Sequence, residues 1–334
     1  MENVKHCQRC ILPETFPNIK FNDEGICHLC LNYQNYEVTE EGKIKYRNKF
    51  IALLEKRQGR HSYDCLMAYS GGKDSSYTLY LMVNQFKMSV LALTFDNGFI
   101  PDQTKRNIKS VVNFLKIDHI FICPDFNHLK SIFRTASEKV IFPRPTLRLA
   151  SSVCTACMGI VKLAALKYAV EKNIPFIIYG WSPGQAPLKS SVFKNNLSML
   201  EEMQDVIYRA ISSIVGHNLD DYFLNVQQME NSDQLPYNIS PLAFLEYNEA
   251  IIFKTIQQMG WQNPTGVDSN STNCLLNSYA NMVHKQQFGY HPYVFELAKL
   301  VREGYLDRTE ALNRINTPED MNTIALVKRK LELP

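Results

Sequence analysis

A short apolar run, Tyr63–Tyr69, leads directly into Ser70-Gly71-Gly72-Lys73-Asp74-Ser75, and a helical pattern follows over about Ser76–Gln85. A strand, a glycine-rich turn and a helix in immediate succession leave the chain few ways to fold. Two glycines allow a tight turn and let backbone amides approach a ligand closely. The following helix aims its unpaired N–H groups and positive dipole end at the same point, which favours an anion. Lys73 adds a mobile positive charge, and Ser70 and Ser75 add hydroxyls. Asp74 supplies a hard oxygen that suits Mg²⁺ as well as it suits helix capping. The spacing is not that of the common phosphate-binding loop, in which Lys follows four intervening residues and a second Gly.

The pattern continues on both sides. Strands are expected at Ser89–Phe95, His119–Cys123 and Pro175–Tyr179, and helices at about Asp102–Lys116, Phe126–Lys139 and Gly159–Asn173. Strands alternating with helices predict an α/β protein with a parallel, doubly wound sheet. A division into four parts is expected: a four-cysteine element at 1–35, a helical connector at 36–60, a nucleotide-binding α/β domain at 61–187 and a mainly helical region at 188–334. Asp307 with Glu310, and Thr317-Pro318 with Asp320, are capping signatures in that last region.

With 45% hydrophobic and 21% charged residues, the 334-residue chain is an ordinary globular mixture, which excludes disorder, collagen and simple coiled coil. A net charge of +3 decides nothing about nucleic acid. The polar start, Met1–Gln8, does not read as a signal peptide, and no run approaches the ~18 apolar residues of a membrane span. A cytoplasmic protein with no membrane partner is expected.

Nine cysteines therefore read as ligands or packing rather than disulfides. Cys7-x-x-Cys10 and Cys27-x-x-Cys30 have the spacing of a four-thiolate zinc site, closed and so structural. Cys154-Thr155-Ala156-Cys157 stands just before a predicted helix, and Cys274 stands alone far downstream. Cys65 and Cys123 fall in apolar runs and read as small core residues.

The Ser70–Ser75 loop resembles that of the PP-loop ATP pyrophosphatase superfamily, whose sheet is of the HUP type. The resemblance implies that ATP is bound with Mg²⁺ and split between its α and β phosphates. An oxygen of the acceptor is adenylated, and a nitrogen or sulfur nucleophile then displaces AMP. It also implies that adenosine lies beside the ends of the first two strands. The cofactor-binding candidates are then Ala68, Ser70, Gly71, Gly72, Lys73, Asp74, Ser75, Phe95, Asp96 and Gly180, with Asn97 beside them. Asp96 reads equally well as a turn-former ahead of Asn97-Gly98.

Two finer resemblances diverge, and the first, which runs through more of the chain, is the leading one. The segments Cys7–Pro13, Phe21–Cys27 and Thr272–Asn277, the closing Val301-Arg302-Glu303-Gly304 and Arg308–Leu312 resemble the N-acetyl sugar amidotransferase family, which turns an acetamido into an acetamidino group. That implies a small-molecule acceptor, such as a nucleotide sugar, and a separate glutaminase. Cys154, Cys157 and Cys274 resemble the three cysteines of PP-loop tRNA thiolation enzymes, which hold a 4Fe-4S cluster and imply a tRNA acceptor and a sulfur donor. Lys73, Asp74, Cys154, Cys157 and Cys274 are accordingly the catalytic candidates. A CxxC at a helix start also predicts lowered thiol pKa values. A redox pair, inert or zinc-binding thiols, and a non-catalytic zinc- and nucleotide-binding protein are the other readings. A homodimer is left open.

Other segments carry weaker signals. Trp181–Gln185 departs from the acidic word that the sugar enzymes have at this strand end. Lys189, Lys194 and Arg209 read as surface charges that would also suit phosphates. Gly216–Asp221 matches a thiolation-enzyme word by letters, but 35 residues too late; it reads as a helix N-terminus with Asn218 near the cap. His284, Tyr290 and His291 read as structural residues, or as a substrate or subunit surface.

Overall fold

The computed structural model describes residues 4–33, 39–225, 227–228 and 235–334. Residues 1–3 and 34–38, at both ends of the expected 1–35 segment and the start of the 36–60 segment, lie outside the described residues. Six strands form one sheet: β1 (Cys65–Ala68), β2 (Val90–Phe95), β3 (Asp118–Ile122), β4 (Phe176–Tyr179), β5 (Val192–Lys194) and β6 (Tyr237–Ile239). Their order is β3-β2-β1-β4-β6-β5, parallel except where β5 runs against β6. The expected doubly wound α/β sheet is therefore present. The chain winds outward from β1 to β3 and then returns to place β4 on the other side of β1. Cys65 sits opposite Val90 on one side and Phe176 on the other. The reversal opens a crevice at the carboxyl ends of β1 and β4, where open α/β sheets bind ligands.

Twelve helices are described: α1 (His28–Leu31), α2 (Glu40–Glu55), α3 (Lys73–Tyr80), α4 (Asp102–Leu115), α5 (Phe126–Glu138), α6 (Ser152–Glu171), α7 (Leu197–Val215), α8 (Glu249–Gln258), α9 (Leu276–Phe288), α10 (Val294–Arg302), α11 (Arg308–Asn316) and α12 (Met321–Lys330). Both sheet faces are covered, so the strands read as continuous apolar runs. Leu66, Leu91 and Leu93 pack with α5, α6 and α7 on one face. Cys65, Met67, Val90 and Ala92 pack with α2, α4 and α8 on the other. The expected caps form: Asp307 accepts from the amides of Thr309 and Glu310, and Asp320 from that of Asn322.

The region after Leu188 is mainly helical, as expected, and adds β5 and β6 to the main sheet; three-residue strands show too little alternation to be read. Two expectations are corrected. Cys123 is exposed at the end of edge strand β3, while Cys65 is buried as expected. Gly216 ends a helix instead of starting one: with φ +62° it follows α7, and Asn218 donates back to the Val215 carbonyl. His284, Tyr290 and His291 are interior, with His284 packed against Phe288 and Tyr290. Burial lowers the His284 pKa to about 4 and that of His291 to about 3. One helix, α6, is long and apolar enough to cross a membrane, but it packs against the sheet and 56% of its apolar window is buried.

Candidate active site

The loop after β1 is built by short contacts between its own residues. Gly71 adopts φ +78°, and a Cβ there would fall 2.6 Å from Ile108. The Ser70 and Ser75 hydroxyls lie 3.1 Å apart, and Ser75 donates to the Gly72 carbonyl. Gly180, at the end of β4, abuts this loop: a Cβ would come within 2.5 Å of the Ser75 Cα. Only glycine allows the two strand ends to meet there.

The later chain closes over the loop. Trp261 donates its indole N–H to the Gly71 carbonyl at 2.9 Å, and the Thr272 hydroxyl accepts from the Lys73 amide at 3.0 Å. The Lys73 ammonium reaches Asp74 at 2.9 Å, the Tyr247 hydroxyl at 3.0 Å and Glu249 at 3.0 Å. Arg314 holds the second Glu249 oxygen at 2.7 Å. Burial alone would lower the Lys73 pKa, but Asp74, Tyr247 and Glu249 outweigh it and raise it well above the usual lysine value. Trp261, Tyr247, Glu249 and Arg314 show no local signal in the sequence; only the long-range fold brings them here.

A cavity of about 310 Å³ opens at this point, within the range of small-molecule sites. It is lined by Ala68, Ser70, Gly72, Lys73, Asp74, Ser75, Phe95 and Gly180 among the sequence-chosen residues, together with Asn97. Gly71 shapes the loop from behind. Asp96 is turned away: it accepts from the Gly98 amide at 2.8 Å and pairs with Lys105 at 3.0 Å, the turn-former of the two readings.

Cys154, Cys157 and Cys274 line the same cavity. The CxxC is inside α6, not ahead of it: Ser151 caps that helix by accepting from the Cys154 amide at 3.1 Å. Asn97 donates to the Cys157 sulfur at 3.5 Å and the Cys274 sulfur at 3.3 Å, and Asn277 donates to Cys154 at 3.7 Å. The expectation of lowered thiol pKa values fails. Burial raises Cys154 to about 11 and raises Cys157 and Cys274 too, beyond what the amide donors offset. A positive centre would be needed to hold these sulfurs as thiolates. Three thiols under amide donors fit a cube with one open corner.

Across the cavity, Glu296 accepts from the Ser182 hydroxyl at 2.6 Å. Burial is the main cause of its pKa rising to about 7. Lys189, Lys194, Arg209 and Gly216–Asp221 do not line the cavity.

The other four cysteines form a separate centre. Cys7, Cys10, Cys27 and Cys30 are buried with all four sulfurs within 4.8 Å of one another. The Cys7–Cys30 separation is 3.8 Å and the Cys10–Cys27 separation 3.7 Å. A tetrahedron of thiolates ~2.3 Å from a zinc ion has edges of roughly 3.8 Å, so the donor set fits that ion. The Cys27 amide donates to the Cys7 sulfur at 3.2 Å. Arg308 donates to the carbonyls of Cys7 and Cys10 at 2.9 Å each, and Ile11, Leu12 and Phe16 pack onto α10 and α11.

Sheet order, switch point and loop define the class: a doubly wound α/β protein with a glycine-rich SGGKDS loop at its crevice. Strand, loop and helix occupy the places expected from the sequence. No family model matches the chain. An uncharacterized protein of Methanocaldococcus jannaschii is 22% identical over 314 residues, 94% of each chain. Among solved structures, a U34-tRNA thiolase, NcsA, from Methanococcus maripaludis with its 4Fe-4S cluster is 14% identical over 99% of both chains, with a TM-score of 0.37. An NMN synthetase from Francisella tularensis is 14% identical over 87% of this chain and 97% of its own, with a TM-score of 0.38. An NH3-dependent NAD synthetase from Campylobacter jejuni is 11% identical over 83% and 98%, with a TM-score of 0.36. These likenesses are of general chain path alone.

Proposed function

We propose that this protein is an ATP-dependent enzyme that adenylates an acceptor oxygen and replaces it with sulfur. The observation that carries the reading is the meeting of Cys154, Cys157 and Cys274 with the Ser70–Ser75 loop in one cavity. The acceptor oxygen attacks the α-phosphorus of ATP, the bond to the β-phosphate breaks, and pyrophosphate leaves. The nucleophile then attacks the activated carbon, and AMP leaves carrying the original oxygen. Loop amides and Lys73 would neutralise the pyrophosphate, and Asp74 would hold Mg²⁺ beside it. A 4Fe-4S cluster held by Cys154, Cys157 and Cys274 would carry the transferable sulfide on its open iron. Asn97 and Asn277 orient the three sulfurs. Cys7, Cys10, Cys27 and Cys30 would hold a structural zinc ion.

Delivery of nitrogen to an N-acetyl sugar is the second reading. Glu296 favours it, because a carboxyl with a pKa of about 7 facing the cavity suits removal of a proton from an entering ammonium. Anaerobic purification separates the two. About four irons and four sulfides per chain, lost together in Cys274→Ser, are expected for sulfur delivery. Zinc alone, with AMP formation that depends on ammonia, would overturn it in favour of nitrogen.

A further inference from the structure

We infer that Lys162 and Trp181 form an acceptor subsite that takes a phosphate ester, the phosphate on Lys162 and the attached ring on Trp181. This deepens the adenylating-enzyme reading and rests on it for the word acceptor. Cys154, Cys157, Met158, Val161 and Lys162 all line the cavity, and their spacing of three and four residues is one face of α6. A rise of 1.5 Å per residue places Lys162 roughly 7 Å beyond Cys157 and roughly 12 Å beyond Cys154 along that face. The ammonium sits 5.1 Å from the centre of the Trp181 ring, which itself stacks on Tyr179 at 5.8 Å.

The charge balance of the cavity singles out this lysine. Lys73 and Arg314, the other lining cations, both pair with Glu249. The lining acids are committed elsewhere: Asp74 and Glu249 to Lys73, and Glu296 to Ser182. Among the described residues no acid pairs with Lys162, and burial lowers its pKa. A half-buried ammonium over an aromatic face, with no acid paired to it among the described residues, is left to be balanced by an entering oxyanion. A cation next to a stacked aromatic pair matches a ligand that joins a phosphate to a ring. The distance along α6 would then set the acceptor's reach from its phosphate to the carbon presented at the thiols.

The test titrates the full-length, metal-loaded protein with inorganic phosphate, glucose 6-phosphate and uridine 5′-monophosphate. α,β-Methylene-ATP is present at saturation throughout, so that the loop is occupied. Calorimetry reads the affinity, and the ester-induced change in tryptophan emission that Trp181→Phe abolishes reads the place. One ester is expected to bind saturably and more tightly than inorganic phosphate; which one does so tells a sugar phosphate from a nucleotide. Lys162→Met should weaken it about tenfold or more, while Lys162→Arg keeps most of the affinity. Affinity for α,β-methylene-ATP should be unchanged in both variants. Equal ester binding by Lys162→Met, or no ester binding at all, overturns the subsite. So does a parallel loss of α,β-methylene-ATP affinity, which would assign Lys162 to the nucleotide. Failure of the wild-type protein to bind α,β-methylene-ATP defeats the ATP reading instead, and the same titrations without it still report on Lys162.

Discussion

Glu249, at the start of α8, meets the phosphate-loop Lys73 at 3.0 Å and ties the second half of the chain to the first strand–loop–helix unit. Burial pushes the Glu249 carboxyl up, but the hydrogen bond from Arg314 and the charges of Lys73 and Arg314 prevail and hold its pKa at about 2 against 4.5. A depressed folded-state pKa contributes stability that is present above about pH 4.5 and is lost as pH falls toward 2. Its upper bound is about 3 kcal/mol, and screening at the partly exposed side chain lowers that. Glu249→Gln should therefore flatten the acid limb of the stability curve between those pH values. Unfolding midpoints measured against pH check this; curves parallel to the wild type would show the ion pair to be inert.

In the proposed reaction, Lys73 and Asp74 stand where the triphosphate would lie. Lys73→Ala and Asp74→Ala should each reduce AMP and pyrophosphate formation by about a hundredfold or more, because each removes charge stabilisation at the reacting phosphates. Chromatography of the nucleotide products gives the answer. ADP from the wild-type protein would remove the α,β-splitting reading altogether.

As the proposed zinc site, the four-cysteine element has no free coordination position and would act on stability. Cys7→Ser should lower the bound zinc below one per chain and drop the melting temperature by roughly 5 °C or more. Per-molecule nucleotide cleavage in the surviving folded fraction should stay within about twofold of wild type. A variant with unchanged melting and no activity would contradict the structural role.

Glu296 titrates in the opposite sense from Glu249. Its folded-state pKa is raised to about 7, chiefly by burial, so the stability it contributes is present below about pH 4.5 and lost as pH rises through 7. Glu296→Gln should remove that decline, leaving a flatter profile from pH 5 to 8. Denaturant midpoints across that window decide the matter, and an unchanged slope would mean that Glu296 is ionised in the folded protein.

The parts of the site that were legible in the sequence are those coded locally. The Ser70–Ser75 loop, the two CxxC pairs at the amino terminus and the caps at Asp307 and Asp320 each state their chemistry within a few residues. Four of the six strands were visible because both faces of the sheet are covered, which turns them into apolar runs. The start of α6 was missed by seven residues, because Ser151 caps it ahead of a stretch that looked like a loop. Cys123 looked like core because an edge strand can be apolar and still exposed. Tyr247, Glu249, Trp261, Glu296 and Arg314 had no local signal at all. Each acts through a partner on another element, and such pairings leave no periodicity in the chain.

The grip of Arg308 on the carbonyls of Cys7 and Cys10 sets an order of events in synthesis. The cysteine element is made well before α10 and α11, yet its apolar side, Ile11, Leu12 and Phe16, has no surface to rest on until those helices exist. The growing chain must carry that element unseated, ready to take up metal, while the whole sheet is made and folded. Its docking is then among the last steps, and a chain stopped short of residue 308 would present a loaded but undocked metal element.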